Sequence, residues 1–184
     1  MNSKRIEDYI LETEQNLKVA ASVVKAWSQA RHRLVTQFLT QLEQSVRKKL
    51  NGWSFERWGR YFDDSYPGFY IWKPSWKGEY CVNLECGNHG QKMVFGIWRD
   101  EQVVNGRPFS EAILSAVKQH FPSARAQKWW EAEITLHSPA SDWRGPEVLW
   151  RMYADQNFLK EVSEQLCEIP LVSERVVDRL IKKL

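Results

Sequence analysis

Between Lys4 and Leu50 the chain contains neither proline nor glycine, the residues that most readily interrupt a helix. Nor does any apolar run approach the roughly 18 to 20 residues of a membrane-spanning helix, and the polar start Met1-Asn2-Ser3-Lys4-Arg5 leads into no apolar signal core. No membrane span is therefore expected, and the expected location is cytoplasmic. Cysteine is scarce: Cys81, Cys86 and Cys167 form an odd set with no disulfide framework, which suits a reducing compartment. Charge of one sign is lacking as well. The net +3 is the difference between 26 cationic and 23 anionic side chains, so net charge alone gives no argument for nucleic acid.

What the chain does have is tryptophan, ten in 184 residues and nine of them between Trp53 and Trp150. That density implies a packing or recognition surface rich in large rings. Apolar residues at 43% and charged ones at 27% give the balance of a folded globular protein. In the stretch without glycine and proline, apolar positions recur at Ile6, Ile10, Thr13, Leu17, Ala20, Val24 and Trp27 in steps of four and three, the helical period. The seam passes through Arg31, resumes at Leu34 and Phe38, and shifts to steps of four at Leu42, Val46 and Leu50. Two arrangements fit: one continuous helix, or a helical hairpin reversing near Gln29-Ala30-Arg31-His32. Asn51-Gly52, behind the basic turn Arg47-Lys48-Lys49, marks the helix end. The sequence thus divides into a helical arm, 1–51, and an aromatic-rich domain, 52–184.

Beyond Gly52, short aromatic and β-branched segments alternate with turn residues. They predict strands near Phe69 to Trp72, Glu79 to Glu85 and Lys92 to Trp98, antiparallel because the connections are too short for crossovers. Ser110 caps a helix running to about His120, and Trp129 to Leu136 reads as another strand. Three helical stretches follow: Pro146 to Ala154, Asn157 to Cys167, and a last one capped by Ser173. The expected fold class is α+β: a long N-terminal helix or helical hairpin, then a small antiparallel sheet flanked by helices.

Catalytic chemistry finds little support. Cys81, Cys86 and His89 fall short of the four ligands and knuckle spacing of a structural zinc site, and on a regular strand the two cysteines point to opposite faces. Asp63, Asp64 and Glu85 are the best carboxylates for a divalent cation, yet the residue two beyond Glu85 is Gly87, and Asp63-Asp64 reads equally as a solvated turn. Neither a nucleophile elbow nor a glycine-rich phosphate loop is present, and Gly87 with Gly90 signals a hairpin. No metal and no cofactor are expected. From Trp53 to Phe62, aromatics interleave with Arg57 and Arg60; such rings stack on unpaired bases while arginines meet phosphates, or the rings pack on the sheet.

Four stretches carry a resemblance: Gly68-Phe69-Tyr70-Ile71-Trp72, then Val82-Asn83-Leu84-Glu85, then Val94-Phe95-Gly96-Ile97, and finally Trp129-Trp130 with Trp143 and Leu149-Trp150 through Phe158 to Ile169. Their order resembles the C-terminal region of bacterial PD-(D/E)XK nuclease-superfamily proteins from defence and mobile-element settings, and the arm resembles the helical region before it. Nothing here matches the Pro-Asp and Glu-x-Lys elements of that nuclease core, so no catalytic residue carries over. The resemblance implies an accessory half, suited to sensing, binding or assembly.

The leading expectation is a non-catalytic protein-interaction module of bacterial or phage origin, one form being a regulator or inhibitor of a nucleic-acid-processing or defence complex. Trp53, Trp58, Trp76 and Trp143, beside turns, are the candidate contact residues, and the arm is a candidate homodimer interface. A second reading is a nucleic-acid-binding accessory domain using Arg47, Lys48, Lys49, Arg57 and Arg60. A third is a divergent metal-dependent nuclease centred on Asp64 and Glu85. Ring exposure decides between packing and recognition.

Overall fold

The computed structural model describes residues 3–59, 64–76, 78–137 and 140–182. Helix α1 (Ser3–Glu12) and helix α2 (Glu14–Lys49) meet at Thr13, whose extended backbone and side-chain oxygen, accepting from the Asn16 N–H at 3.0 Å, cap α2. From there α2 runs 36 residues with no reversal at Gln29-Ala30-Arg31-His32, a length of about 54 Å at the usual helical rise. The continuous arrangement holds, with its one interruption at Thr13, a β-branched residue whose hydroxyl serves a cap better than a helix interior.

The protein is α+β. Strands β1 (Ser54–Trp58), β2 (Gly68–Trp72), β3 (Tyr80–Gly87), β4 (Lys92–Arg99), β5 (Arg125–Gln127) and β6 (Trp130–Thr135) form one antiparallel sheet in the order β1-β2-β3-β4-β6-β5. The expected central strands are there. β1 corresponds to the aromatic and arginine segment after Trp53, and β5 is a three-residue edge strand too short to leave a periodic signature.

Alternation along the strands sends Phe69, Ile71, Val82, Leu84, Cys86, Met93, Phe95, Ile97, Ala132 and Ile134 to one face, where helices cover them in a single hydrophobic cluster. Short helix α3 (Glu101–Gly106) contributes Val103 to that cluster, α4 (Glu111–Lys118) contributes Ile113 and Val117, and α5 (Pro146–Ala154) contributes Val148 and Leu149. Helix α6 (Gln156–Lys182) is the longest cover. It merges the two last helices expected from the sequence: Pro170 lies inside it, and Ser173, instead of capping, donates its hydroxyl to the Ile169 carbonyl at 2.7 Å.

Val35, Phe38, Leu39, Leu42, Val46 and Leu50 of α2 belong to this same cluster. Phe38 stacks on Phe158 with centroids 5.2 Å apart and meets Trp143 edge-on at 5.6 Å. A division at 51/52 therefore cuts through a shared core. Only the chain before about Leu34 stands outside it as an arm, because only there does every apolar side chain fall outside the buried set.

At the far edge of the sheet a buried ion pair positions α4. Arg99 and Glu131 are both almost wholly shielded; the Arg99 guanidinium donates twice to the Lys128 carbonyl, and Glu131 accepts the Ser110 N–H at 2.7 Å. Burial raises the Glu131 carboxyl above its ordinary range, against the pull of the Ser110 N–H and of Arg99, 3.6 Å away.

Candidate functional site

The second face of the sheet is covered by none of the clustered helix side chains, and the strand registers lay it out in three rows. The middle row runs Glu56, Tyr70, Asn83, Gly96, Glu133, Arg125 across all six strands. To one side lie Trp58, Gly68, Glu85, Val94 and Thr135. On the other, Cys81, Trp98, Trp130 and Gln127 align, with Trp72 on the same face of β2. Aromatic rings thus stand among carboxylates on the face away from the helices, where Cys81, Asn83 and Val94 are buried and Glu56 and Trp58 are exposed.

Two clefts on that surface meet at Trp98, which lines both. The larger, about 580 Å³, is bounded by Glu85, Lys92, Trp98, Trp129, Trp130 and Glu133. Glu133 lies between Lys92 Nζ at 3.1 Å and the Arg125 guanidinium at 3.0 Å. Glu85 accepts from Asn83 Nδ2 at 3.2 Å, and the Asn83 Oδ1, fully buried, has no hydrogen-bond partner among the described residues. Burial first, and then repulsion from Glu133, pushes the Glu85 carboxyl up to about 7, against the opposing effects of Asn83 and Lys92. Glu85 therefore exchanges its proton near neutrality beside the Lys92, Glu133 and Arg125 cluster.

That shift ties stability to pH. The folded state holds the Glu85 proton more tightly than the unfolded chain does, so the stabilising contribution is complete below the ordinary glutamate range and is lost as pH rises through about 7. Glu85→Gln should flatten the fall in stability between about pH 5 and 8, on the order of 1–3 kcal/mol, read by urea unfolding at several pH values. An unchanged slope would refute the assignment.

The residues nominated from sequence divide sharply. Trp76 and Trp143 are 0% exposed; Trp76 donates its indole N–H to Asp178 at 2.9 Å, and Trp143 packs on Phe38. Both are core rings, and the ring-exposure criterion removes them as contact residues. Trp53 is half-buried, edge-on to Trp76 at 5.0 Å. Trp58, 48% exposed, stands at the open face and donates its indole N–H to the Tyr70 hydroxyl.

Among the basic candidates, Arg47 and Arg57 converge on Glu43 at 2.8 and 2.7 Å on the helix side of β1, and Arg47 also lies over the Phe55 ring. Glu43, which its partial burial would raise, is held below the ordinary carboxylate range by those two guanidinium groups. Lys48 and Lys49 are exposed in the last turn of α2. Arg60 and Asp63 lie outside the described residues. Asp64 sits against the Gly59 turn and is not among the groups that act on Glu85. Cys81 faces the open side and Cys86 the core; among the described residues no group of three or more His, Cys, Asp and Glu is placed to hold a metal ion.

Sequence reasoning missed Tyr70, Trp72, Trp98, Lys92 and Glu133 as members of one surface. The available signal was that Gly68–Trp72 and Lys92–Arg99 are rich in large side chains at both parities, where a half-solvated strand alternates.

The arm exposes a second surface. Leu17 is 51% exposed and Trp27 50%, and Val23, Val24, Tyr9 and Leu11 are more so. Where the arm joins the body, Trp27, Ala30 and Leu34 line a cleft of about 500 Å³ with Tyr153 of α5, and Arg31 and Arg33 are the only charged side chains among the described residues that line it. Trp150 and Tyr153 extend the exposed apolar surface along α5.

No family model matches the chain, and no curated protein or solved structure does either. Among the described residues no helix is long and apolar enough to cross a membrane.

Proposed function

We propose that the chain is a non-catalytic protein-interaction module that assembles through its helical arm, with a second copy of itself on the arm's apolar seam. The observation that carries this reading is the solvent exposure of Leu17, Val24 and Trp27 at helical spacing. A contiguous apolar stripe of that kind marks an interaction surface, because leaving it in water forfeits the free energy of its burial.

A second copy fits the seam in sequence and in charge. In an antiparallel pair of α2 helices centred on Ser22, Ala20 lies beside Val24 of the second copy and Leu17 beside its Trp27, each smaller side chain opposite a larger one. The same register brings Glu14 of α2 close to the other copy's Arg31, which with Arg33 supplies the charge in the cleft beside Tyr153 among the described residues. The resemblance to nuclease-associated regions supports a setting in which such an assembly regulates or inhibits a nucleic-acid-processing or defence complex.

The nucleic-acid reading is weaker, because Arg47 and Arg57 are committed to Glu43 and the open sheet face mixes both signs of charge. Cysteine cross-linking tests the arm arrangement. Ala20→Cys mixed with Val24→Cys should form a disulfide-linked pair under mild oxidation, whereas Ala20→Cys alone should not. Efficient self-linkage of Ala20→Cys would indicate parallel arms and sink the antiparallel register.

A further inference from the structure

The smaller cleft on the open sheet face, about 370 Å³, has a composition unlike the larger one. Tyr70, Trp72 and Trp98 form its walls, Tyr80 and Cys81 line its buried side, and Glu56 stands exposed at its rim. No lysine, arginine or histidine is among the described residues that line it, whereas Lys92 and Lys128 both reach the larger cleft. The Tyr70 and Trp98 rings are 6.1 Å apart and inclined at 53°, so their faces do not satisfy one another by stacking. Ring faces carry negative quadrupolar potential, and several around one space, with a carboxylate beside them, favour a cation that sheds its water readily.

We propose that this cleft receives a cationic side chain of a partner protein, an alkylated ammonium carried on a lysine, seated between Tyr70, Trp72 and Trp98 with Glu56 as its counter-charge. The proposal deepens the protein-interaction reading by naming what a partner presents to the sheet. The chemistry of the cleft supports the choice. The walls offer mainly apolar ring surface, which suits methyl or methylene groups around the charge, and Glu56 lies in register beside Tyr70 on the edge strand, where water and a partner both reach it.

The other titratable groups near the walls leave the carboxylate at the rim as the charge a ligand meets. Burial, followed by the influence of Cys81 and Glu85, raises the Tyr70 hydroxyl, with the Trp58 indole N–H acting in the opposite direction. Burial likewise raises the Cys81 thiol, and Glu85 adds to that effect. Both therefore stay protonated and uncharged at neutral pH. Lys92 stands in the same face but is engaged with Glu133 in the neighbouring cleft.

The test is a titration of the full chain, followed by calorimetry and by the indole N–H resonances of Trp72 and Trp98. The probes are short peptides carrying trimethyl-lysine, its neutral carbon isostere with a tert-butyl end, or norleucine, together with tetramethylammonium alone. The expected result is saturable binding of the trimethyl-lysine peptide, at least about tenfold tighter than its neutral isostere. Glu56→Gln, at an exposed position, should weaken that binding about three- to tenfold, and Trp98→Phe should weaken it while leaving the thermal melt unchanged.

Equal binding of the cationic and neutral peptides overturns the proposal, as does a response confined to other tryptophans. Tighter binding of tetramethylammonium than of the peptide would assign the cleft to a small quaternary amine and overturn the partner-protein version. Repeating the titration on an arm variant, Leu17→Glu with Val24→Glu, keeps the two readings apart, because that variant alters assembly and leaves the cleft intact.

Discussion

Gly96→Ala should leave little folded protein. Gly96 sits in the middle of β4 at φ +144, and a Cβ placed there would lie 1.8 Å from the Ala132 carbonyl oxygen of the neighbouring strand. Backbone on β6 cannot retreat cheaply, since it is paired on both sides by β4 and β5. Strain at a positive φ costs about 1–3 kcal/mol and overpacking a further 1–3. The sum, about 4 kcal/mol, is a large part of the 5–15 kcal/mol that holds a typical domain together. Thermal unfolding by circular dichroism should show a loss of roughly 8–16 °C or no cooperative transition at all. A melt within a few degrees of the parent would mean that β4 and β6 do not approach as described. The missing side chain has a second consequence: it leaves the open face without a group between Asn83 and Glu133, at the centre of the middle row.

Phe38→Ala should cost about 3–5 kcal/mol, because deleting a buried ring removes its transfer free energy and leaves a space its neighbours fill only in part. Phe38 is 2% exposed and touches Phe158 and Trp143, so the damage falls on the joint between α2, α6 and the loop before α5. Leu17→Ala, on the same helix at 51% exposure, should change the stability of the single chain by no more than about 0.5 kcal/mol. Similar losses for the two variants would show that the arm is packed on its own body.

Much of the architecture was legible in the sequence, for identifiable reasons. The helical period from Ile6 to Leu50 and the absence of glycine and proline suffice for α2, and the three aromatic-rich segments suffice for β2, β3 and β4. The break at Thr13 was hidden because threonine also continues the apolar seam. Ser173 looked like a cap because serine is a favoured N-cap residue, while here tertiary packing of Val162, Leu166, Ile169 and Val177 holds α6 together through Pro170.

The site was less legible than the fold. Turn-adjacent tryptophans were natural candidates, but proximity to a turn says nothing of burial: Trp76 closes the core through Asp178, and Trp143 through Phe38. The rings at the open face, Tyr70, Trp72 and Trp98, lie within strands, and only strand register brings them beside Glu56 from the edge. Register between strands is a long-range property that local pattern does not encode.

Sedimentation of the purified chain over a range of concentrations tests the central claim most directly. At about 50 µM, high enough to populate even a micromolar complex, the account predicts a species of twice the 21.8 kDa chain mass. Leu17→Glu combined with Val24→Glu should return it to a monomer with an unchanged melting temperature. A parent chain that stays monomeric at that concentration, or a dimer untouched by both charges in the seam, would contradict assembly through the arm.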